Sequence, residues 1–153
     1  MKILLLLFIF SFYSYGSECD FNETLLASCA FPGGRRVAVF CANNFKNESR
    51  YFLKNVDIVE LEVKFNDKNK LKRWLDLGTY TTYIGFNKGY YSYLIGIPEE
   101  KPDAVAFFDI KKNGRVISTK KCSANSFGEK KIKNNSIDDV LDGVVRDNGF
   151  KFP

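Results

Sequence analysis

Apolar and polar residues alternate along several stretches of the chain, a pattern typical of β-strands that bury one face. The clearest case is 59–65, VELEVKF, where four apolar residues alternate with two glutamates and a lysine. Less regular runs of the same kind lie at 21–43, 51–53 and 79–122. We therefore predict a mainly β protein of about seven short antiparallel strands.

Three turns within 21–43 and 79–122 have specific turn chemistry. Pro32-Gly33-Gly34 combines a fixed φ with residues that accept a positive φ. Asn87-Lys88-Gly89 predicts a three-residue loop with Gly89 in the left-handed region. Asn113-Gly114 is the strongest short signal for a hairpin with a type I′ turn.

The spacing of apolar residues also predicts two helices. Leu71, Trp74 and Leu75 fit one face of a helix of about two turns. Near the C-terminus, Ser136 is a suitable N-cap for a second helix that ends at Asn148-Gly149. Its apolar stripe is Ile137, Val140, Leu141, Val144 and Val145. We expect this helix to pack on an antiparallel sheet that closes toward a barrel, with a two-sheet sandwich as the alternative.

The first sixteen residues predict a signal peptide. Lys2 supplies a positive charge, and 3–13 is an apolar core too short to span a bilayer. Ser14 and Gly16 are the small residues expected before a cleavage site. We expect cleavage after Gly16 and a soluble chain, 17–153, that forms one domain in the periplasm or outside the cell.

The four cysteines, Cys19, Cys29, Cys41 and Cys122, predict two disulfides in an exported protein. Three pairings are possible. We favour Cys29–Cys41 because both cysteines lie in one predicted hairpin, and this leaves Cys19–Cys122. A zinc site is not indicated, since the chain has neither a CxxC pair nor a histidine.

The absence of histidine excludes Ser-His-Asp and Cys-His catalysis and most transition-metal sites. A pair of carboxylates could still act as acid and base, and Glu60 and Glu62 are the candidates, roughly 7 Å apart on one strand. Glutamates at alternate positions are more typical of the solvent face of a strand. We therefore predict no catalytic residue, no cofactor and no metal, and a protein that is not an enzyme.

Tyrosine is concentrated in one predicted hairpin, which holds Tyr80, Tyr83, Tyr90, Tyr91 and Tyr93. If Phe86 pairs with Tyr90, then Tyr83 lies opposite Tyr93 with Tyr91 beside them. Ile84, Phe86 and Leu94 would then point inward. A partly exposed face of tyrosines suits protein binding, although an ordinary cross-strand aromatic ladder has the same pattern.

Basic residues exceed acidic ones by 23 to 18 and cluster in predicted turns and edge strands. The clusters are Arg35-Arg36, 68–73, Lys111-Lys112, Lys120-Lys121 and 130–133. For an exported protein the anionic partners would be envelope polymers, lipid headgroups or an acidic protein, and nucleic acid is not expected. A solvated surface that blocks edge pairing is the simpler explanation of these lysines.

The motif SC-x11-C, an ELEV strand, the Tyr-rich NKG hairpin and the NG hairpin together resemble small exported bacterial proteins, most of them uncharacterised. In outline, over about 25–122, the chain is similar to the periplasmic lysozyme inhibitors. That resemblance implies a small disulfide-linked antiparallel β barrel that blocks a hydrolase. The Ser-Gly loop of those inhibitors has no match in this sequence, so no inhibitory residue is transferred, and the predicted terminal helix is a further departure.

Two functional hypotheses follow. The first is an exported non-catalytic binding protein, such as an inhibitor or immunity protein against a secreted or periplasmic hydrolase, with Tyr83, Tyr91 and Tyr93 as candidate binding residues. The second is an envelope-associated module that binds an anionic polymer or lipid through the basic turns. A hydrolase that uses carboxylates is a distant third hypothesis.

Overall fold

The computed structural model describes residues 18–99, 104–126, 128–129 and 131–153. The predicted signal peptide, 1–16, lies outside the described residues. Those residues form eleven strands and one short helix. In chain order the elements are β1 (Thr24–Ala30), β2 (Arg36–Asn43), β3 (Glu48–Asn55), β4 (Ile58–Phe65), β5 (Leu71–Asp76), β6 (Thr81–Lys88), β7 (Tyr91–Pro98), β8 (Phe107–Lys112), β9 (Arg115–Lys121), β10 (Ala124–Ser126), β11 (Ile137–Val140) and α1 (Asp142–Asp147).

The strands form two sheets that face each other. The first has the order β10-β1-β2-β3-β4, and the second has the order β11-β5-β6-β7-β8-β9. All neighbours are antiparallel except β11 and β5, which are parallel. The mainly β prediction is confirmed, with more strands than expected. The two sheets form a sandwich, the alternative in our prediction, and do not close into the barrel that we favoured.

The core between the sheets is rich in aromatic rings. Tyr51 and Phe40 come from the first sheet, and Phe86 and Phe108 come from the second. The ring centroids of Tyr51 and Phe86 are 5.0 Å apart, and those of Tyr51 and Phe108 are 6.2 Å apart. Burial raises the pKa of the Tyr51 hydroxyl strongly. The high aromatic content of the sequence is therefore used chiefly to fill the space between the two sheets.

The hairpin turns agree with their sequence chemistry in conformation but not always in length. Asn113 and Gly114 have φ values of 51° and 77°, as a type I′ turn requires, and Gly89 has a φ of 60°. However, Lys88 pairs directly with Tyr91, so the β6–β7 loop has two residues, Gly89 and Tyr90, and not the three predicted. This difference shifts the register of the whole hairpin.

Both predicted helices need correction. The segment with Leu71, Trp74 and Leu75 is strand β5. Ile137 begins strand β11, so the C-terminal helix starts only at Asp142. The hydroxyl of the buried Ser136 forms hydrogen bonds with Asn134 Oδ1 at 2.6 Å and with Ser49 Oγ at 2.8 Å and does not cap a helix. The predicted end of this helix at Asn148-Gly149 is confirmed, with Gly149 at a φ of 67°. No helix among the described residues is long and apolar enough to cross a membrane.

Two disulfides are present, but the predicted pairing is wrong. The bonds are Cys19–Cys41 and Cys29–Cys122. Cys29 faces the core between the sheets, whereas Cys41 lies on the outer face of the same sheet with Cys19. Cys29 pairs with Ala38 across the hairpin, three positions from Cys41, so the two sulfurs are directed to opposite faces. Two disulfides are typical of a protein from an oxidising, extracellular environment.

Candidate functional site

The three candidate tyrosines do not share one face. Phe86 pairs with Tyr93, and Tyr83 pairs with Gly96. Because successive strand residues alternate between faces, Tyr91 and Tyr93 lie on the core side of the second sheet and Tyr83 lies on its outer side. The structure therefore separates Tyr83 from the other two, while all three side chains are half-buried.

Each of these tyrosines has a neighbour that accounts for its position. Tyr83 stacks on Trp74 with 4.8 Å between ring centroids, and burial, followed by the charges of Asp76 and Asp109, raises its pKa. On the core side, Tyr93 stacks on Phe86 at 5.2 Å. The Lys112 ammonium lies 5.5 Å above the ring of Tyr91. These contacts fit an aromatic ladder at least as well as they fit a binding face.

Glu60 and Glu62 lie on the solvent side of β4, as the alternating pattern predicts. Glu60 accepts hydrogen bonds from Asn55 at 2.9 Å and from Arg36 at 3.0 Å, and these bonds lower its pKa. Glu62 contacts Arg50 at 3.4 Å. Each carboxylate is thus engaged with a separate cation, an arrangement that stabilises the charged form of Glu60 and does not prepare it as a general acid.

A surface that the sequence pattern did not predict lies at the turn between β3 and β4. We define the β3–β4 tip as residues 56–59. Val56 is 63% exposed, Ile58 is 71% exposed and Val59 is 48% exposed. Three exposed β-branched apolar side chains thus lie within four residues of the chain, and a cluster of exposed apolar residues is a candidate interaction surface.

The backbone of the tip is strained at one position. Val56 has a φ of 56°, a conformation that β-branched residues rarely adopt. Its N–H donates a 2.7 Å hydrogen bond to the carbonyl oxygen of Arg35 in the neighbouring β1–β2 turn, which ties the two turns together. The one signal in the sequence is a valine between Asn55 and Asp57, where a glycine would be the usual residue for such a turn.

Beside the tip is a cleft of about 380 Å³ between the β1–β2 turn and strand β9. Its lining residues, which define the turn cleft, are Phe31, Pro32, Gly33, Arg35, Arg36, Asn55 and Lys120. Every charged residue in this set is a cation. Arg35-Arg36 and Lys120-Lys121 are separate basic pairs in the sequence, and the fold brings Lys120 of the second pair to the first.

Among the described residues, one group of potential metal ligands comes together, and it consists of Cys19, Glu23 and Cys41. The two sulfurs form a disulfide, so neither is available as a thiolate. Glu23 accepts hydrogen bonds from Arg50 at 2.7 to 3.1 Å. The chemistry of this group is therefore that of a structural ion pair next to a disulfide.

No protein-family model matches this chain, and no curated protein and no solved structure is significantly similar to it. The resemblance to the periplasmic lysozyme inhibitors accordingly stays a prediction from the sequence.

Proposed function

We propose that the protein is an exported, non-catalytic binding protein whose partner is another protein, and that a secreted or periplasmic hydrolase is the first class of partner to test. The observation that supports this proposal is the β3–β4 tip, where Val56, Ile58 and Val59 are exposed at one end of a disulfide-linked sandwich. The Tyr-rich hairpin, our candidate from the sequence, is a weaker choice because its rings pack on the core and on Trp74.

The strain at Val56 supports a binding role for the tip. A left-handed conformation costs an L-residue about 1–2 kcal/mol, and backbone strain of this kind is concentrated at sites that bind or react. Glycine would adopt the same conformation without that cost. A valine at this position is understandable if its side chain is needed for contact with a partner.

The tip is also held in place before any partner arrives. The Val56–Arg35 hydrogen bond fixes it to the neighbouring turn. Val39, Cys41 and Phe52 pack together on the outer face of the same sheet, where Cys41 forms a disulfide with Cys19. A preorganised apolar projection loses little conformational entropy on binding and suits insertion into a concave surface such as the cleft of a hydrolase.

The test compares the natural chain with a Val56→Ser/Ile58→Ser variant. Both are immobilised and exposed to the extracellular or periplasmic fraction of the producing cells, and retained proteins are identified by mass spectrometry. We expect one stoichiometric partner whose affinity falls at least about 30-fold in the tip variant, the loss of roughly 2 kcal/mol that a hot spot gives. Purified partner is then titrated for hydrolase activity with and without the protein.

The matched control is Val116→Ser/Ile117→Ser, which replaces two adjacent apolar residues of β9 that are 52% and 56% exposed. The control should bind the partner as the natural chain does. Equal retention by the tip variant and the natural chain would show that the tip is not the binding surface. If a retained hydrolase kept its full activity in the complex, inhibition of that hydrolase would be excluded as the function of this protein.

A second candidate function is the binding of an anionic polymer or lipid, and one observation favours it. The β8–β9 hairpin, 107–121, contains five cations and one acid, giving 5 − 1 = +4. The cations are Lys111, Lys112, Arg115, Lys120 and Lys121. The acid, Asp109, is buried and accepts a hydrogen bond from Thr119. Loss of vesicle or polymer binding in Lys112→Ala/Arg115→Ala, and not in Lys68→Ala/Lys70→Ala, would support this candidate.

A further inference from the structure

The turn cleft combines a set of converging cations, of which Lys120 also belongs to the β8–β9 hairpin, with an apolar wall that neither functional proposal uses. It lies where three segments meet: the β1–β2 turn, the end of β3 and the end of β9. Its volume of about 380 Å³ falls in the lower part of the range for small-molecule sites in proteins. The cleft is large enough for a ring-sized ligand and far smaller than a protein interface.

The cations of the cleft are only partly neutralised by the protein. The Arg36 guanidinium donates to Glu60 at 3.0 Å. For Arg35 and Lys120, no carboxylate of the described residues lies within ion-pair distance. Like charges gathered around one concave space repel each other, and an anion in that space would relieve the repulsion.

The position of Lys120 is informative. It pairs with Phe108, a buried core residue, so the side chain of Lys120 starts from the core-facing side of an edge strand. A lysine that points inward on an edge strand also prevents pairing with another chain, and this alone would explain Lys120. It would not explain why Arg35 and Arg36 line the same space.

The opposite side of the cleft is apolar and held firmly. The half-buried ring of Phe31 packs on Phe108 with centroids 5.3 Å apart, and Pro32 lies next to it in the chain. The carbonyl oxygen of Phe31 accepts bonds from Gly34 N–H at 3.0 Å and from the Ser123 hydroxyl at 3.2 Å. The Cys29–Cys122 disulfide joins β1 to the residue that follows β9. The wall is therefore preorganised for contact with the apolar face of a ring.

We propose that the turn cleft binds an acidic sugar unit of an anionic polysaccharide. The Arg35 guanidinium and the Lys120 ammonium would bind the carboxylate or sulfate, and Phe31 and Pro32 would pack against the sugar ring. Asn55 also lines the cleft, and since its amide nitrogen donates to Glu60, its Oδ1 would accept from the hydroxyl groups of the sugar. An anionic membrane fits less well, since these cations surround a recess and not a flat patch. This site depends neither on a protein partner at the β3–β4 tip nor on the other cations of the β8–β9 hairpin.

The test is a titration of the isotope-labelled protein, followed by NMR, with a galacturonate tetrasaccharide and with a heparin-derived tetrasaccharide. Maltotetraose serves as the neutral probe. We expect at least one acidic probe to shift the amide signals of Phe31, 33–36, Asn55 and Lys120, with weak and salt-dependent affinity. The neutral probe should leave them unchanged.

The variant Arg35→Ala/Lys120→Ala changes two exposed side chains and should weaken binding of the acidic probe at least tenfold. The control Lys68→Ala/Lys70→Ala removes the same charge from the exposed β4–β5 loop and should have little effect. If both variants weakened binding of the acidic probe equally, the binding would depend on net charge alone, and the proposal would be overturned. The proposal would also be overturned if Lys112→Ala/Arg115→Ala, and not Arg35→Ala/Lys120→Ala, abolished binding of the acidic probe. That result would place the anion site on the β8–β9 hairpin and would leave the second candidate function intact.

Two further results would also overturn the proposal. One is the absence of any shift at the cleft amides with both acidic probes. The other is binding to phosphatidylglycerol vesicles, abolished by Arg35→Ala/Lys120→Ala, without saccharide binding, which would assign the cleft to a lipid headgroup. Neither result bears on the protein partner of the tip, because Val56 and Ile58 are unchanged in these experiments.

Discussion

The backbone N–H of Val56 donates a 2.7 Å hydrogen bond to the carbonyl oxygen of Arg35, and this bond ties the exposed apolar tip to the β1–β2 turn, which lines the turn cleft. Two hairpins that are adjacent in one sheet thereby present their turns as one unit. The strained conformation of Val56 is maintained by this bond and by the short turn between β3 and β4. Substitution of Val56 can therefore distinguish the cost of its backbone strain from the contribution of its side-chain packing.

Val56→Gly should stabilise the fold by about 0.5–1 kcal/mol. Relief of the left-handed conformation is worth about 1–2 kcal/mol, and the greater freedom of glycine in the unfolded chain offsets part of that gain. Urea denaturation measures the effect. The control is Val59→Gly, also exposed in the same hairpin but with an ordinary φ, which should destabilise the fold by about 1 kcal/mol. If both substitutions changed the free energy of unfolding in the same direction, Val56 would not be strained.

The two disulfides should contribute unequally to stability. Cys29–Cys122 closes a loop of 93 residues and Cys19–Cys41 one of 22. The chain-entropy relation gives about 4.7 and about 3.4 kcal/mol, respectively. Paired Cys→Ala variants, compared by denaturation, should therefore show the larger loss for Cys29→Ala/Cys122→Ala. A peptide map without reduction checks the pairing itself, and a Cys29–Cys41 peptide would contradict the structure.

The register of the Tyr-rich hairpin predicts different roles for neighbouring tyrosines. Tyr93→Ala removes a ring stacked on Phe86 and should cost about 2–3 kcal/mol, less than the loss of a fully buried aromatic ring. Tyr90, in the two-residue turn and 77% exposed, should tolerate alanine within about 0.5 kcal/mol. Thermal denaturation of the two variants compares them. A stable Tyr93→Ala protein would restore this face as a candidate binding surface.

Local turn chemistry predicted the backbone conformation at Asn113-Gly114 and Gly89, whereas loop length and strand register were mispredicted. Asn113-Gly114 predicted its turn correctly because a positive φ at two successive residues is a local requirement. The β6–β7 register was mispredicted because both faces of the second sheet are covered, one by the core and the other by Val145 and Phe152. When both faces are apolar, alternation no longer indicates which residues point inward.

Long-range pairing explains the other errors. Strand β5 pairs with β6 on one edge and with β11 on the other, where Lys72 and Arg73 form ion pairs with Asp138 and Asp139, 66 positions away. No local signal predicts a pairing over that distance, and helical spacing is a weak guide when tertiary contacts oppose it.

The β3–β4 tip was missed for a different reason, since an exposed valine in a strained turn contradicts ordinary turn chemistry.

The last prediction concerns pH and the edge formed by β5 and β11. The Arg73 side chain is 9% exposed, and its guanidinium donates to the two carboxylate oxygens of Asp139 at 2.5 and 3.0 Å. These bonds, together with those from Lys133, lower the pKa of Asp139 below its usual value of 3.8. A carboxylate with a lowered pKa contributes its full stabilisation above the unfolded pKa and loses it as the pH falls through the folded value.

Asp139→Asn should therefore be less stable than the natural chain at pH 7, by about 1–2 kcal/mol after allowance for the partial exposure of Asp139. The difference should shrink as the pH falls from about 4 to about 2, because protonation removes the same charge from the natural chain. Urea denaturation at several pH values measures it. Asp67→Asn, in the exposed β4–β5 loop, should show little difference at any pH. A gap between Asp139→Asn and the natural chain that stayed constant to pH 2 would mean that the Asp139 charge contributes nothing, and that the asparagine disturbs the edge by its hydrogen bonding alone.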